Sequence, residues 1–599
     1  MSNSKRIREI VGLVALVFAA ACDTLSIDNP NDPDRNRVLS DPNSIPGIGQ
    51  GAFQTWYLTT QGGFGEDQYP ALTLSVMARS HVAMWNNFNI RFYTGCTQDW
   101  PAGGYPAPLG TCGNLTEGPA YPRVEWQNNL ASAQRTQIEA MWYGYYASLS
   151  SANDVLTAIR TKKLAVPASH MVETMAVMTQ GLALSGIALN YDKGFVVDYN
   201  TDITKLTFST RAQIRDAALA KFDTAITMAA DTFSVPSVPW FGGPSVSYNN
   251  VKIGKIANTM AARLLVYFPR SAAENKDVSA GGQVDWAKVA SYASKGISSG
   301  ARFNLTFFQD ACTTWCDFLK VWSNDMTTMR VHTRVAHMMD PVSQPDPWDV
   351  NLNKNPTSPD KRLGDGTYRG PAAYAAAILR AYPDTTGKGG TDFVWTHTKE
   401  FGNKTRGAWH QSAVGQVRYD SLTTCGDNPQ GEVTGTGDAP MVLAAENDLL
   451  WAEALIRRPS SPDLATAATL INNTRVTRGG LSPANASDPN LLQELQYEQD
   501  VELIGSNIAP LYNQRRTDNL EPLTPHEMPV PAQELGVLNL CTGACYTWGG
   551  ASNPPNSSAS APGSSAAALM QSAPRIWADY TQRGRNRMLA NRVLSRLVH

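Results

Sequence analysis

The sequence predicts a mainly α protein: helical hairpins forming one large domain, decorated with long loops and short strands. Three observations predict it. Apolar residues recur at spacings of three and four from about residue 129 to 300, and again from about 446 to 505. Between them, residues 301–440 lose that period and fill with Gly, Pro, Asn and Asp among scattered Trp. And 599 residues with 42% hydrophobic and 9% aromatic side chains can bury a sizeable core, which excludes a chain disordered throughout.

The helical segments follow in order. In LASAQRTQIEAMWYGYYASLSSANDVLTAIR, Ile138, Met141, Trp142, Tyr145, Leu149, Ala152, Val155 and Ile159 make one apolar face. HMVETMAVMTQGLALSGIALNYDKG adds Met171, Met175, Met178, Leu182 and Leu189 with small residues that let a neighbour approach closely, and is expected to end at Gly194. Ile214, Ala218, Phe222, Ala225 and Met228 mark a third helix, and KIANTMAARLLVYFPR a fourth that stops near Pro269. Asp285 caps a fifth. Beyond the irregular stretch, Leu449, Ala452 and Leu455 give a helix, Asp463 caps the next, which ends at Gly479 and Gly480, and Leu491, Leu495, Val501 and Ile504 give another. Trp142, Trp286 and Trp451 lie in these stripes and read as core.

The ends of the chain carry different information. Residues 1–21 place Lys5, Arg6 and Arg8 before an apolar run of about 12 residues, the pattern of an export signal and too short to span a bilayer, which takes about 20. No later segment is expected to span one. Cys22, directly after Ala19, Ala20 and Ala21, resembles a lipobox cysteine, so it is the expected lipid attachment residue, although Ala19 stands where Leu is usual. Two or three acyl chains at about 0.8 kcal/mol per buried methylene anchor a protein durably in a bilayer. Residues 22–50, rich in Asn, Asp and Pro, read as a tether, 51–540 as the body, and 541–599 as an extension with a Ser/Ala/Pro-rich linker and an Arg-rich end. That end, Arg575 to Arg596, suits an anionic surface.

The 50 Lys and Arg against 52 Asp and Glu give a net charge of −2, and losing the signal, with its three basic residues and Glu9, takes it only to −4. So mild a charge argues against a nucleic-acid partner, which requires a marked basic excess. Export permits disulfides, and Cys96 with Cys112, Cys312 with Cys316, and Cys541 with Cys545 form three short loops, leaving Cys425.

From MVLAAENDLLWAEALIRRPSSPDLATAATLINNTRVTRGGL onward the sequence resembles the SusD/RagB family of outer-membrane nutrient-binding lipoproteins. The residues that carry the resemblance are Ala445, Glu446, Leu449, Ala452, Glu453 and Ala454, then Ala467, Ala468, Ile471, Asn472, Arg475, Arg478 and Gly479. Further on, Glu494, Glu498, Glu502, Arg515, Arg516, Pro529, Pro531 and Glu534 match the family's Glu-rich helix, its Arg pair and its P-x-P-x-x-E. Asn507, Ile508 and Asn513 depart from it, where His, Arg and Asp are common. The resemblance covers roughly residues 22–540. It implies tetratricopeptide-like hairpins in a lipid-anchored, surface-exposed outer-membrane protein. Such a protein captures oligosaccharide or polysaccharide, less often peptide, and acts as a lid on a SusC-like TonB-dependent barrel in nutrient uptake.

Sugar recognition pairs aromatic faces with Asn, Asp and Arg side chains. On that chemistry the candidate ligand-binding residues are Trp85, Asn86, Arg91, Trp240, Trp348, Trp395 and Trp409. No catalytic residue and no metal site is expected. Gly296 to Gly300 matches G-x-S-x-G but follows a helix instead of joining strand to helix. Glu494, Glu498 and Glu502 share a helix face, a spacing that could suggest paired carboxylates for glycoside hydrolysis, but their match to a packing helix of the SusD/RagB family implies a structural role. His332 and His337, five apart, do not share a face. No cofactor is expected, with a structural calcium in the Asp-rich loops left open. The alternatives are an exported glycoside hydrolase on a helical scaffold and a structural surface or matrix lipoprotein without ligand.

Overall fold

The structure is a computed structural model describing residues 35–62, 69–83, 126–132, 134–325, 328–346, 354–364, 388–395, 410–423, 435–520, 524–541, 543 and 545–546. Its frame is helical. Helices α1 (Ile45–Gln61), α2 (Pro70–Met77), α3 (Arg135–Leu156), α4 (Ser169–Asn190), α5 (Arg211–Met228), α6 (Asn250–Tyr267) and α7 (Trp286–Ala293) pack so that each long helix touches its neighbour in sequence. Two short helices, α8 (Phe318–Ser323) and α9 (Thr333–Met339), interrupt the frame. It resumes with α10 (Ala444–Arg457), which closes on α7 and on α11 (Leu464–Arg475), followed by α12 (Leu491–Val501), α13 (Ala509–Arg516) and α14 (Ala532–Val537). The protein is thus mainly α, built of tetratricopeptide-like hairpins decorated with loops and short strands.

α4 is the axis of the first hairpins, packed between α3 and α5. Its small residues decide how closely they approach: a Cβ on Gly186 would lie against the Tyr145 ring of α3, and one on Gly181 would lie 2.9 Å from the Phe222 ring of α5. α4 is also long and apolar enough to pass as a membrane span, with a mean hydropathy of 1.3, contrary to the expectation that no segment past the leader would be. Its apolar window is 94% buried by the protein's own helices, which identifies it as a core helix. It stops at Asn190 rather than at Gly194, because Tyr191 takes extended backbone and Gly194 pairs with Ser209 in a two-residue strand. Asp285 and Asp463 cap as expected, accepting from the backbone N–H groups of Lys288 and Thr466, and Thr210 adds a capping box with Gln213.

Buried charge ties the hairpins together. Glu446 of α10 accepts from Arg263 Nε at 2.6 Å and the Tyr267 hydroxyl at 2.8 Å, both on α6, and from Asn507 Nδ2 at 2.8 Å. Arg516 of α13 grips Glu453 through both terminal nitrogens, at 2.6 and 2.5 Å. Burial alone would raise Glu453, but Arg516 and Arg457 outweigh it and hold the carboxyl at about 2. Arg515 donates to the carbonyls of Leu189, Tyr267 and His526, two of which end α4 and α6.

The irregular region builds small antiparallel pairings. β1 (His81–Ala83) pairs with β3 (Met329–Val331), and β2 (Leu305–Asp310) with β7 (Thr436–Val442). β4 (Lys388–Gly389), β5 (Phe393–Trp395) and β6 (Val414–Gln416) form a three-stranded sheet with β5 in the middle. Val331, Val335, Leu363, Phe393, Trp395, Val414, Val501 and Ile504 make a second, smaller core between this sheet and α12.

Ile45, fully buried, opens α1, and Cys545 and Tyr546 pack in the main core.

Candidate functional site

The strands at one end of the second core bring three distant pieces of chain together. His332 follows β3 directly, donates its backbone N–H to the Ser80 carbonyl at 3.0 Å and bridges to Gln411. Gln411 reaches across with Nε2 to the Ala83 carbonyl at 2.9 Å, and Ser412 Oγ donates to the Val331 carbonyl at 2.6 Å. Asp346 is held by the Thr333 hydroxyl at 2.6 Å. Ala83, Asp346 and His410 therefore lie close together.

His332 and His410 face each other there with ring centroids 4.7 Å apart and planes 15° apart. Together with Asp346 they place one donor atom each within 4.8 Å of the others. His332 also caps α9, its Nδ1 accepting from the Arg334 N–H at 3.0 Å. Behind this group lies His81, buried, with Nε2 2.7 Å from Gln416 Oε1 and Nδ1 2.7 Å from the Ser75 hydroxyl. Gln416 Nε2 donates to the Ile504 carbonyl, so its Oε1 is the acceptor; His81 is therefore the Nε2–H tautomer and Ser75 donates to Nδ1. Burial lowers its pKa to about 4, with Gln416 opposing.

A second feature is a cavity of about 350 Å³ lined by Arg302, Phe303, Arg418, Asn473, Arg478 and Glu502, among others. Its floor is an ionic lattice. Glu502 accepts from Arg362 at 3.2 Å, Arg418 at 2.9 Å and Arg478 at 2.9 Å, while Arg362, fully buried, also binds Asp360 and Glu498. Burial raises Glu498 despite Arg362. Glu502, which burial would also raise, is held at about 2 by Arg418, Arg478 and Arg362. Glu502, clamped by three guanidiniums, is a poor base and a poor nucleophile, and Glu498, bonded to Arg362, joins it in tying the end of α12 to the irregular region. Glu494 pairs with Arg475 on the neighbouring helix. Ser298 of the G-x-S-x-G string is buried and accepts from Asn447 Nδ2 at 2.7 Å, a packing role.

The candidate sugar-binding residues fall into two groups. Trp240 and Trp395 are corrected: both are core residues. Trp240 is 3% exposed and packs on Phe53 and Gly49; Trp395, 2% exposed, sits mid-sheet in β5. Neither has a ring face left for a pyranose. Trp85, Asn86, Arg91, Trp348 and Trp409 lie outside the described residues, as do Cys22, Cys96, Cys112 and Cys425. Disulfides join Cys312 to Cys316 and Cys541 to Cys545. His332 and His337 do not converge, as their spacing predicts: His337 turns Nδ1 to the Gln344 carbonyl, and the residue beside His332 is His410, 78 positions away, which the sequence reading missed.

Fold and site together define a helical-hairpin scaffold with a small strand-bearing region that brings Ala83, Asp346 and His410 close together. Among solved structures it is similar to a SusD superfamily protein from Bacteroides vulgatus ATCC 8482, with 12% identity and a TM-score of 0.49, covering 84% of this chain and 99% of that one. It is also similar to a SusD homolog from Bacteroides thetaiotaomicron VPI-5482, with 13% identity, a TM-score of 0.42 and coverage of 90% and 94%. A laminarin-binding SusD-like protein has 12% identity, a TM-score of 0.43 and coverage of 82% and 96%. No protein-family profile and no curated protein matches the sequence.

Proposed function

We propose that this chain is a non-catalytic, lipid-anchored surface protein of the SusD/RagB type that captures glycan and passes it to a SusC-like TonB-dependent barrel in the outer membrane. The lipobox-like Cys22 and the paired motifs around Glu446, Arg478 and Arg516 support the class. One observation carries the ligand reading: Ala83, Asp346 and His410, each within two residues of Trp85, Trp348 or Trp409, are fastened to one locus by Gln411, Thr333 and the His332 stack. Asn86 and Arg91, one and six positions after Trp85, are the polar residues proposed to meet hydroxyls. Glycan capture requires a stacking surface of aromatic rings, and Trp85, Trp348 and Trp409 are the residues proposed to supply it.

The test is binding by the full chain to a polysaccharide panel, laminarin included, read by affinity electrophoresis and thermal shift, with product analysis alongside. The expected result is retarded migration without released sugar. Trp85→Ala, Trp348→Ala or Trp409→Ala should cost at least one of them about 1–3 kcal/mol of binding at unchanged melting temperature. Unchanged binding in all three overturns the site, and sugar release that disappears with Glu502→Gln overturns the non-catalytic reading. A large barrel accompanying the protein from detergent-solubilised outer membranes tests the partner.

A further inference from the structure

We infer that His332, Asp346 and His410 form a binding site for a divalent transition metal, independent of any glycan. Two imidazoles and one carboxylate are a borderline donor set that suits zinc and its neighbours. Calcium would instead demand six to eight oxygens, where this cluster offers one carboxylate. Their donor atoms lie within 4.8 Å of one another. A four-coordinate zinc with bonds of about 2.0–2.2 Å holds its donors about 3.3 Å apart, so side-chain rotation alone can close the set.

The site is prepared in the way metal sites are. His332 is 2% and His410 6% exposed, on backbone fixed by the Ser80, Ala83 and Val331 bonds. Asp346 is more open and already oriented by the Thr333 hydroxyl, a support of the kind that aims ligand carboxylates. α9 beneath is pinned by the two bonds from Arg334 to Asp500, each 3.0 Å.

The stacked rings are the metal-free arrangement. Lone pairs lie in the ring planes, so one imidazole must turn out of the stack to share an ion with the other. His332 has a further cost, since its Nδ1 takes the Arg334 N–H: coordination through this ring gives up that cap or turns the ring over. Three ligand bonds would replace the Arg334 bond to His332 and the 3.4 Å contact of the Thr333 hydroxyl with His410 Nδ1. With three protein donors, a fourth position remains for water or another oxygen ligand.

Zinc chloride titrated calorimetrically into the full chain carrying Cys22→Ser and Cys425→Ser, which removes two thiols, tests the assignment. One equivalent should bind, His332→Ala and His410→Ala should each weaken it at least tenfold, and Asp346→Asn should weaken it less. His337→Ala should leave it unchanged. Cobalt should give a visible spectrum without thiolate charge-transfer bands. Absence of binding, or binding that survives the His332→Ala/His410→Ala double variant while circular dichroism reports an intact fold, overturns the site.

Discussion

The helical hairpins and the strand-bearing region at 301–440 solve the same problem by different means. In the hairpins, polar residues join elements that apolar periodicity has already placed: Glu446 and Glu453 fasten α10 to α6 and α13, whose buried stripes face each other in any case. In the strand-bearing region the pairings are two to seven residues long, and side chains reaching across tens or hundreds of positions hold them: Gln411 to Ala83, Gln416 to His81, Arg362 to Glu498. A frame built on area tolerates variable loops. A locus built on individual hydrogen bonds places a few atoms accurately, which is what a binding surface needs.

The largest effect expected is on the frame. Glu453→Ala leaves Arg516, wholly buried, facing the gap where two charged bonds were. Breaking a buried pair on one side costs about 3–5 kcal/mol, read as a lowered urea midpoint at unchanged slope. Adding Arg516→Met removes the stranded charge and should return part of the loss. If the single and double variants are equally unstable, the tie contributes through packing alone.

Acid should separate the two regions. His81 has a folded pKa of about 4 against 6.5 free, so the unfolded state takes the proton first as pH falls. Its stabilisation is complete above pH 6.5 and is lost between 6.5 and 4, about 3 kcal/mol at 1.36 kcal/mol per pH unit. Glu453, held at about 2 against 4.5, keeps its contribution above pH 4.5 and loses it as pH falls toward 2. The amide protection factors around Val414–Gln416, exchange rates corrected for the intrinsic rate at each pH, should therefore fall between pH 6.5 and 4, while those of α10 and α13 hold to lower pH. Simultaneous opening would mean that the regions melt as one unit and that the contrast does not extend to stability.

The same contrast decides what the sequence makes legible. A period of three and four needs only neighbours along the chain, so α3 to α7 and α10 to α12 could be read, along with the Asp285 and Asp463 caps. Glu498 and Glu502 could be read as structural only through the resemblance of their helix to a packing helix of the family, since their spacing alone also fits paired carboxylates. Trp240 and Trp395 could not be told from binding residues, because a Trp in a polar loop looks the same whether the chain turns it in against Phe53 or out to solvent. His332 and His410 were illegible as a pair: strand pairing across 78 residues brings them together, and two- or three-residue strands leave no period to detect.

The smallest effect probes how close the hairpins must sit. At Gly186 the Tyr145 ring occupies the place of a side chain, and the ring is fixed in turn because its hydroxyl lies 3.3 Å from that of Thr60 on α1. Gly186→Ala improves helix propensity by about 1 kcal/mol, so an isolated α4 would gain. In the protein the methyl must displace the ring or part α3 from α4, and overpacking of this kind costs about 1–3 kcal/mol. The net change should be destabilising by up to about 2 kcal/mol. Gly181→Ala, whose added carbon meets the Phe222 ring edge at 2.9 Å, should lose less. Both losses should appear in the melting temperature with zinc and glycan binding unchanged, since α4 bears none of the strands that gather Ala83, Asp346 and His410. A Gly186→Ala protein of wild-type stability would show that the helices slide apart at little cost, and close approach would no longer explain the small residues of α4.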